Sequence, residues 1–256
     1  DVDNAGLFGV VNSVEIKNLV VSGTVSGTAN AGGIAGKMKA AGTFSNCGNE
    51  ASVKGKSAGG ILGRVFTYGI NCTFEQCYNA GKIDGTERAG GILAHNNGSA
   101  SNLKADRCYN IGDVNSKQYA GGVLGGSGLT ITNSYTAGKI SGNSATNSAA
   151  FSTAKYDNVT DCFYLAGTAN DNTGAATAVS SMKLQQLVIG DDFEHVNGRN
   201  KNYPVLKWQK LKEKAGKAVL AKNAEFKMIE VPTTGLTDGE DDTILLTTPE
   251  LTWKPI

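Results

Sequence analysis

Proline is nearly absent from this chain, with 4 in 256 residues, while glycine reaches 34. A Pro-rich linker is thereby excluded, and glycine acts as periodic punctuation rather than as a sign of disorder. Charge is also scarce, at 18% with a net of +1, so composition gives no electrostatic footprint for nucleic acid or an anionic membrane. No run of 18 apolar residues exists, which argues against a transmembrane helix, and no secretory signal heads the chain. Histidine is limited to His95 and His195. A zinc metallopeptidase needs two histidines one helical turn apart with a glutamate between them, and neither residue sits in such a pattern. The five cysteines contain no Cys-x-x-Cys pair, so they lack metal spacing, and no cofactor is expected.

What the chain does have is a repeat. Ala-Gly-Gly followed by Ile or Val occurs at Ala31, Ala58, Ala89 and Ala120, at spacings of 27, 31 and 31 residues. A divergent copy at Ala5-Gly6-Leu7 precedes these and a worn one at Ala149-Ala150-Phe151 follows. A second landmark runs through Leu19, Cys47, Cys77, Cys108, Ser134 and Cys162. Six residues past its first five members stand Val25, Val53, Ile83, Val114 and Ile140. Two residues earlier stand Gly23, Ala51, Gly81, Gly112 and Gly138, and polar residues alternate between them. Alternation at period two marks a strand with one buried face. Leu7, Ile34, Ile61, Ile92, Val123 and Phe151 read as a second strand, and the residues leading into the Cys column as a third. Units of this length, each unable to bury its own face, stack into a solenoid. The expected fold is all-β: a right-handed parallel β-helix of about six coils, with handedness taken from the general rule for parallel crossovers. Coils occupy 1–165, a C-terminal cap with a short helix near Ser180–Val188 occupies 166–209, and 210–256 is a tail or the start of a second β domain. The chain opens inside the repeat, which reads as a fragment of something longer.

Several columns carry specific expectations. The Cys column is open to disulfide, metal or packing readings; because it also accepts Leu19 and Ser134, packing is favoured. Cys72 falls outside the column in an expected loop and is the candidate reactive thiol. Asn49, Asn79 and Asn110 are placed to form an amide ladder. Lys82, Asp113 and Lys139 share one outward column, predicting an alternating charge ladder. Coil length varies on one edge, between the Gly-Gly-Ile and Cys columns, and inserted loops on one face of a repeat array often bind ligands. Tyr68, His95, Asn96 and Asn97 are the candidate ligand-binding loop residues. Catalysis on polysaccharide requires paired carboxylates, for which Asp84, Glu87, Asp106 and Asp113 are candidates. Asp84 and Asp113 occupy columns where Lys and Ser also stand, as on a solvated face. The acidic run Asp238, Glu240, Asp241 and Asp242 lacks calcium-loop spacing.

The Ala-Gly-Gly-Ile-Leu-Gly segment, the Cys-Tyr-Asn-x-Gly-x-(Ile/Val) segments from Cys77 and Cys108, and the closing Asn202-Tyr203-Pro204-Val205-Leu206-Lys207-Trp208 together resemble GLUG-motif repeat proteins. The resemblance covers roughly 1–209. It implies a secreted or surface-anchored bacterial protein, and some members of that family accompany the peptidase of IgA-cleaving metallopeptidases. The coil with a Phe-Asp-Gly-x-Gly-His-type turn that often opens such proteins is absent here. The expected function is a non-catalytic solenoid module at the bacterial surface or outside the cell. It would act in adhesion or as a stalk, part of a larger chain, with a host or microbial glycan or protein as ligand. The alternative is a carbohydrate-active β-helix, a glycosidase or lyase.

Overall fold

The computed structural model describes residues 2–97, 102–155 and 157–209. These form a parallel β-solenoid of about six turns. Each full coil visits four short sheets in order. Sheet A is nine-stranded and holds Ser52–Gly59, Ile83–Gly90 and their neighbours; sheet B has four strands, Phe8–Val11, Ala35–Met38, Leu62–Val65 and Leu93–Asn96. Sheet C has six strands, among them Cys72–Glu75 and Leu103–Asp106, and sheet D has seven, among them Tyr78–Asn79, Tyr109–Asn110 and Tyr135–Thr136.

Register follows the sequence columns. Val53 lies between Val25 and Ile83, Ile83 pairs onward with Val114, and Val114 with Ile140. All five are buried, in a cluster lined with the alanines Ala31, Ala51, Ala58, Ala89 and Ala120. A second, larger cluster fills the space between sheets B, C and D, stacking Ile34, Ile61, Ile92 and Val123 against Phe44, Phe74 and the cysteines. Phe44 and Phe74 stack with centroids 5.3 Å apart.

The Gly-Gly-Ile segment is a corner rather than a strand, which raises the strand count per coil from three to four. The strand of sheet A ends at Gly32, Gly59, Gly90 or Gly121, and in three of those coils a strand of sheet B starts at Ala35, Leu62 or Leu93. Steric room explains it. A Cβ placed on Gly91 would come within 2.1 Å of the Gly122 carbonyl oxygen of the next coil. The inward small-residue column is equally constrained: a Cβ on Gly112 would meet the Gly81 carbonyl at 2.0 Å.

The turn from sheet C into sheet D has its own signature. Asn18, Asn46, Gln76, Arg107, Asn133 and Asp161 each precede the Cys landmark by one residue, and each has φ between 49° and 55°. That left-handed conformation costs an ordinary L-residue about 1–2 kcal/mol, and Asn and Asp tolerate it best. Gln76 and Arg107 are the exceptions, and both reach Asp192.

Asp192 belongs to the segment after the coils. Thr177–Val179 adds a last strand to sheet D, and Ala169 and Ala176 pack against the solenoid interior. Ser180 then caps the helix Ser181–Gln185 by accepting from the Lys183 backbone N–H. From there the chain runs on to Gln209. It lies along the outer side of sheet D, where Leu184, Ile189, Phe193, Tyr203 and Leu206 pack onto Tyr78, Tyr109 and Tyr135. Its single antiparallel pairing joins Phe193–Glu194 to Val205–Leu206. The three tyrosines stack at centroid distances of 5.1 Å, leaving an apolar ribbon that needs cover. Polar tips are satisfied by the strap: the Tyr109 hydroxyl donates to Gln209 Oε1, and Tyr135 to the Pro204 carbonyl. The readings made for 210–256, including the acidic run, lie outside the described residues.

Candidate functional site

The third residue of three of the four strands of sheet B is the least buried of its strand. Lys37, Arg64 and His95 occupy this place, in strands whose other positions are buried. Arg64 pairs in register with Lys37 on one side and His95 on the other. Successive rungs are about 4.8 Å apart, so these side chains, two of them cations, form a column running along the solenoid axis.

Side chains from two other places join it. Phe66, half exposed in the turn after sheet B, presents its ring to Lys37, whose Nζ lies 3.6 Å from the centroid; Arg64 Cζ lies 5.5 Å away. Such contacts hold a cation in place over an aromatic face. Arg88 reaches in from sheet A. Its Nη1 donates to the Gly125 carbonyl at 3.0 Å, and its guanidinium lies 4.6 Å from the Tyr119 ring. Among the described residues, none of Lys37, Arg64 and Arg88 has a carboxylate within ion-pair distance. The nearby Glu87 is bound to Lys56 at 3.0 Å.

This environment acts on His95. Burial first, then the charges of Arg88 and Arg64, lower its pKa to about 4, so the ring is neutral at pH 7. Lys37 is also lowered, by burial and by Lys39 and Arg64.

The four candidate ligand residues separate into different roles. His95 is on a strand, not in the expected loop, because the coil stays in register with Arg64 through Asn96. Asn97 orders the arc: its Oδ1 accepts from Arg64 Nε at 3.2 Å and from Nη2, while its Nδ2 donates to the Phe66 carbonyl. Asn96 is buried and donates to the Ser127 carbonyl, which makes it a coil-to-coil fastener. Tyr68 projects from the turn two residues beyond Phe66 and is 68% exposed. Lys37, Arg64, Arg88 and Phe66 were not among the sequence candidates. The first two were detectable, standing three residues past Ile34 and Ile61. Arg88 was not, since it comes from another sheet.

The carboxylates considered for catalysis are each engaged between or within coils. Asp84 takes the Lys82 ammonium at 2.8 Å and an amide hydrogen from Asn115. Asp106 accepts from Thr132 and Asn133 and pairs with Arg107. Asp113 accepts the Lys139 backbone N–H at 3.0 Å. Among the described residues no direct ion pair joins Asp113 to Lys82 or Lys139, although the Asp113 charge acts on Lys82. The three residues do share the exposed face, but Lys82 finds a closer partner in Asp84, two residues along the chain. His195 lies in the strap, its Nε2 2.8 Å from the Leu187 carbonyl.

The thiols are all free and buried. Cys72 corrects its expectation: it opens a strand of sheet C between Gly42 and Leu103, and burial raises its pKa. Column members do more than fill space. Cys47, Cys77, Cys108 and Cys162 each have a single Sγ–H within reach of two carbonyls, one from the coil before and one two residues back. Ser134 suits the same site because its hydroxyl donates to Thr132 and accepts from the Cys108 N–H. Among the described residues no group of three or more His, Cys, Asp or Glu could hold a metal ion.

No family model matches the chain, and no curated protein matches it in sequence. Its fold is similar to a crystal structure described as a "putative immunoglobulin A1 protease" from Bacteroides ovatus, with a TM-score of 0.50, 17% identity, and coverage of 78% of this chain and 75% of that one.

Proposed function

We propose that this chain is a non-catalytic, ligand-binding β-solenoid module, of GLUG-repeat type, from a bacterial cell-surface or secreted protein. The observation that carries the reading is the arc of Lys37 and Arg64 beside Phe66, continued by Arg88 beside Tyr119. It is a set of cations without carboxylate partners among the described residues, held in place by Asn97, Gly125 and two aromatic rings. A surface whose polar groups are aligned by the scaffold but left unpaired fits binding of an external partner. The carboxylates available for hydrolysis are spent on fastening coils, which supports the non-catalytic reading.

The test is a glycan and protein-ligand screen with the purified chain, run beside a hydrolysis and lyase assay on the same polysaccharides. Retention of a ligand without turnover, lost on substitution of the arc, is the expected result. Turnover of any polysaccharide overturns it in favour of a carbohydrate-active β-helix. Antibody labelling of intact source cells and of their medium tests the location.

A further inference from the structure

Resting on the ligand-binding reading just given, we infer that the arc on sheet B is a docking track for a linear anionic polysaccharide. It would recognise carboxylate or sulfate groups along the solenoid axis. Three features select that class. The first is charge: Lys37, Lys39, Arg64 and Arg88 influence one another or His95 electrostatically, and the one acid felt there, Glu87, is held by Lys56. A patch this positive on a chain of net charge +1 is local concentration, not general basicity.

The second is geometry. Lys37 and Arg64 stand on successive rungs, and Arg88 closes the third from the neighbouring sheet. Their spacing follows the rung repeat of about 4.8 Å. A polysaccharide presents its charges at intervals comparable with a sugar ring, so one extended chain can meet successive cations. A single small anion would span only part of the track.

The third is the donor set. Asn97 takes Arg64 Nε and Nη2, leaving Nη1 without a hydrogen-bond partner among the described residues. An immobilised guanidinium edge is suited to a carboxylate or sulfate oxygen, and its ordering cost is met before the ligand arrives. Phe66, alongside, offers an apolar edge against which a sugar ring can rest.

The 256-residue chain is immobilised and titrated at low and moderate salt with dextran sulfate, polygalacturonate, unmodified dextran and poly-L-glutamate. Dextran sulfate and polygalacturonate separate sulfate from carboxylate recognition. The expected result is binding of at least one of them, weakened by salt, with unmodified dextran and polyglutamate much weaker. Arg64→Gln should weaken the Kd about tenfold, the loss of one charged hydrogen bond. Adding Lys37→Gln should weaken it further, whereas Lys104→Gln, on exposed sheet C, should leave it unchanged. Matching unfolding curves for the variants establish that the fold is intact. Equal binding of unmodified dextran or of polyglutamate overturns the inference, as does unchanged affinity in folded Lys37→Gln/Arg64→Gln. Failure of both anionic polysaccharides also overturns it, yet leaves the module reading standing if a neutral glycan or a protein binds. Turnover of a polysaccharide would instead overturn the module reading.

Discussion

Arg107 and Asp192, 85 residues apart, are joined by an Nη1–Oδ2 contact of 2.9 Å. Arg107 holds a left-handed backbone, φ 52°, in the same corner where four other coils place Asn or Asp. The strain is offset by what its side chain does: it gathers Glu75, Asp106 and Asp192, anchoring the strap to two coils. Gln76, one coil earlier, repeats the arrangement with Asp192 Oδ1 and lends its carbonyl to the Trp208 indole N–H. Asp192→Ala should cost about 1 kcal/mol, as the cluster is partly exposed. Arg107→Asn should cost less than Arg107→Ala, because asparagine relieves the backbone strain while losing the same contacts. Urea unfolding checks both. Trp208 fluorescence in a Trp253→Phe background reports whether the strap has lifted.

The asparagine ladder is the least replaceable polar feature of the interior. Asn49 Nδ2 donates to Asn79 Oδ1 at 2.7 Å, and Asn79 Nδ2 donates to Asn110 Oδ1 at 2.7 Å. Each amide also donates to the carbonyl two residues on. Asn79→Ala removes the middle link and strands buried groups on both sides, at about 3 kcal/mol. Asn79→Asp should be at least as damaging, since a carboxylate cannot donate to Asn110. Chemical denaturation of the two variants measures it. An aspartate variant as stable as the native chain would show that the ladder does not need the amide donor.

Glycine substitutions separate crowding from backbone conformation. Gly91→Ala must displace the next coil's backbone and should cost more than 3 kcal/mol. Gly167 has φ +83° and nothing within 4 Å of an added Cβ, so Gly167→Ala should cost only about 1 kcal/mol. Thermal unfolding of both variants tests the ordering.

The native chain should resist thiol reagents. Burial holds Cys77 well above its usual range and pushes Cys162 up to about 12. Thiolate is the reactive form and all five cysteines are buried, so labelling should follow unfolding. Rapid labelling of Cys72 in folded protein would contradict its place in sheet C.

The legible parts of this protein are those the repeat states many times. Val53, Ile83 and Val114 recur once per coil, each in a period-two alternation with small neighbours, so their stack and register follow from spacing. The Asn ladder follows because Asn79 and Asn110 hold the same place in successive coils. Cys72 was misread because its column has Gly42 and Leu103 as members, and no shared chemistry links the three. The strap over Tyr78, Tyr109 and Tyr135 could not be read, because it joins a repeat to a segment that does not repeat. Even so, an outward tyrosine in three consecutive coils is itself a sign that something covers it.

His95 links the candidate site to stability. In the unfolded chain its pKa returns to about 6.5, whereas in the folded chain burial, Arg88 and Arg64 hold it at about 4. As pH falls from 6.5 towards 4, the unfolded chain takes up a proton that the folded chain does not. Stability is therefore greatest above pH 6.5 on this account and declines until His95 protonates in the fold, below which the loss is complete. Solvent reaches part of the ring, so the decline should be about 1–2 kcal/mol, less than the full linkage of the two pKa values. His95→Gln retains a polar side chain without the titration. The stability difference between native and variant should change between pH 7 and 4.5 in the direction that penalises the native chain. Carboxylates titrating near pH 4 act on both proteins and cancel in the difference. A flat difference across this range would mean that His95 does not feel Arg64 and Arg88. The arc of cations on sheet B would then lack the mutual proximity on which its role depends.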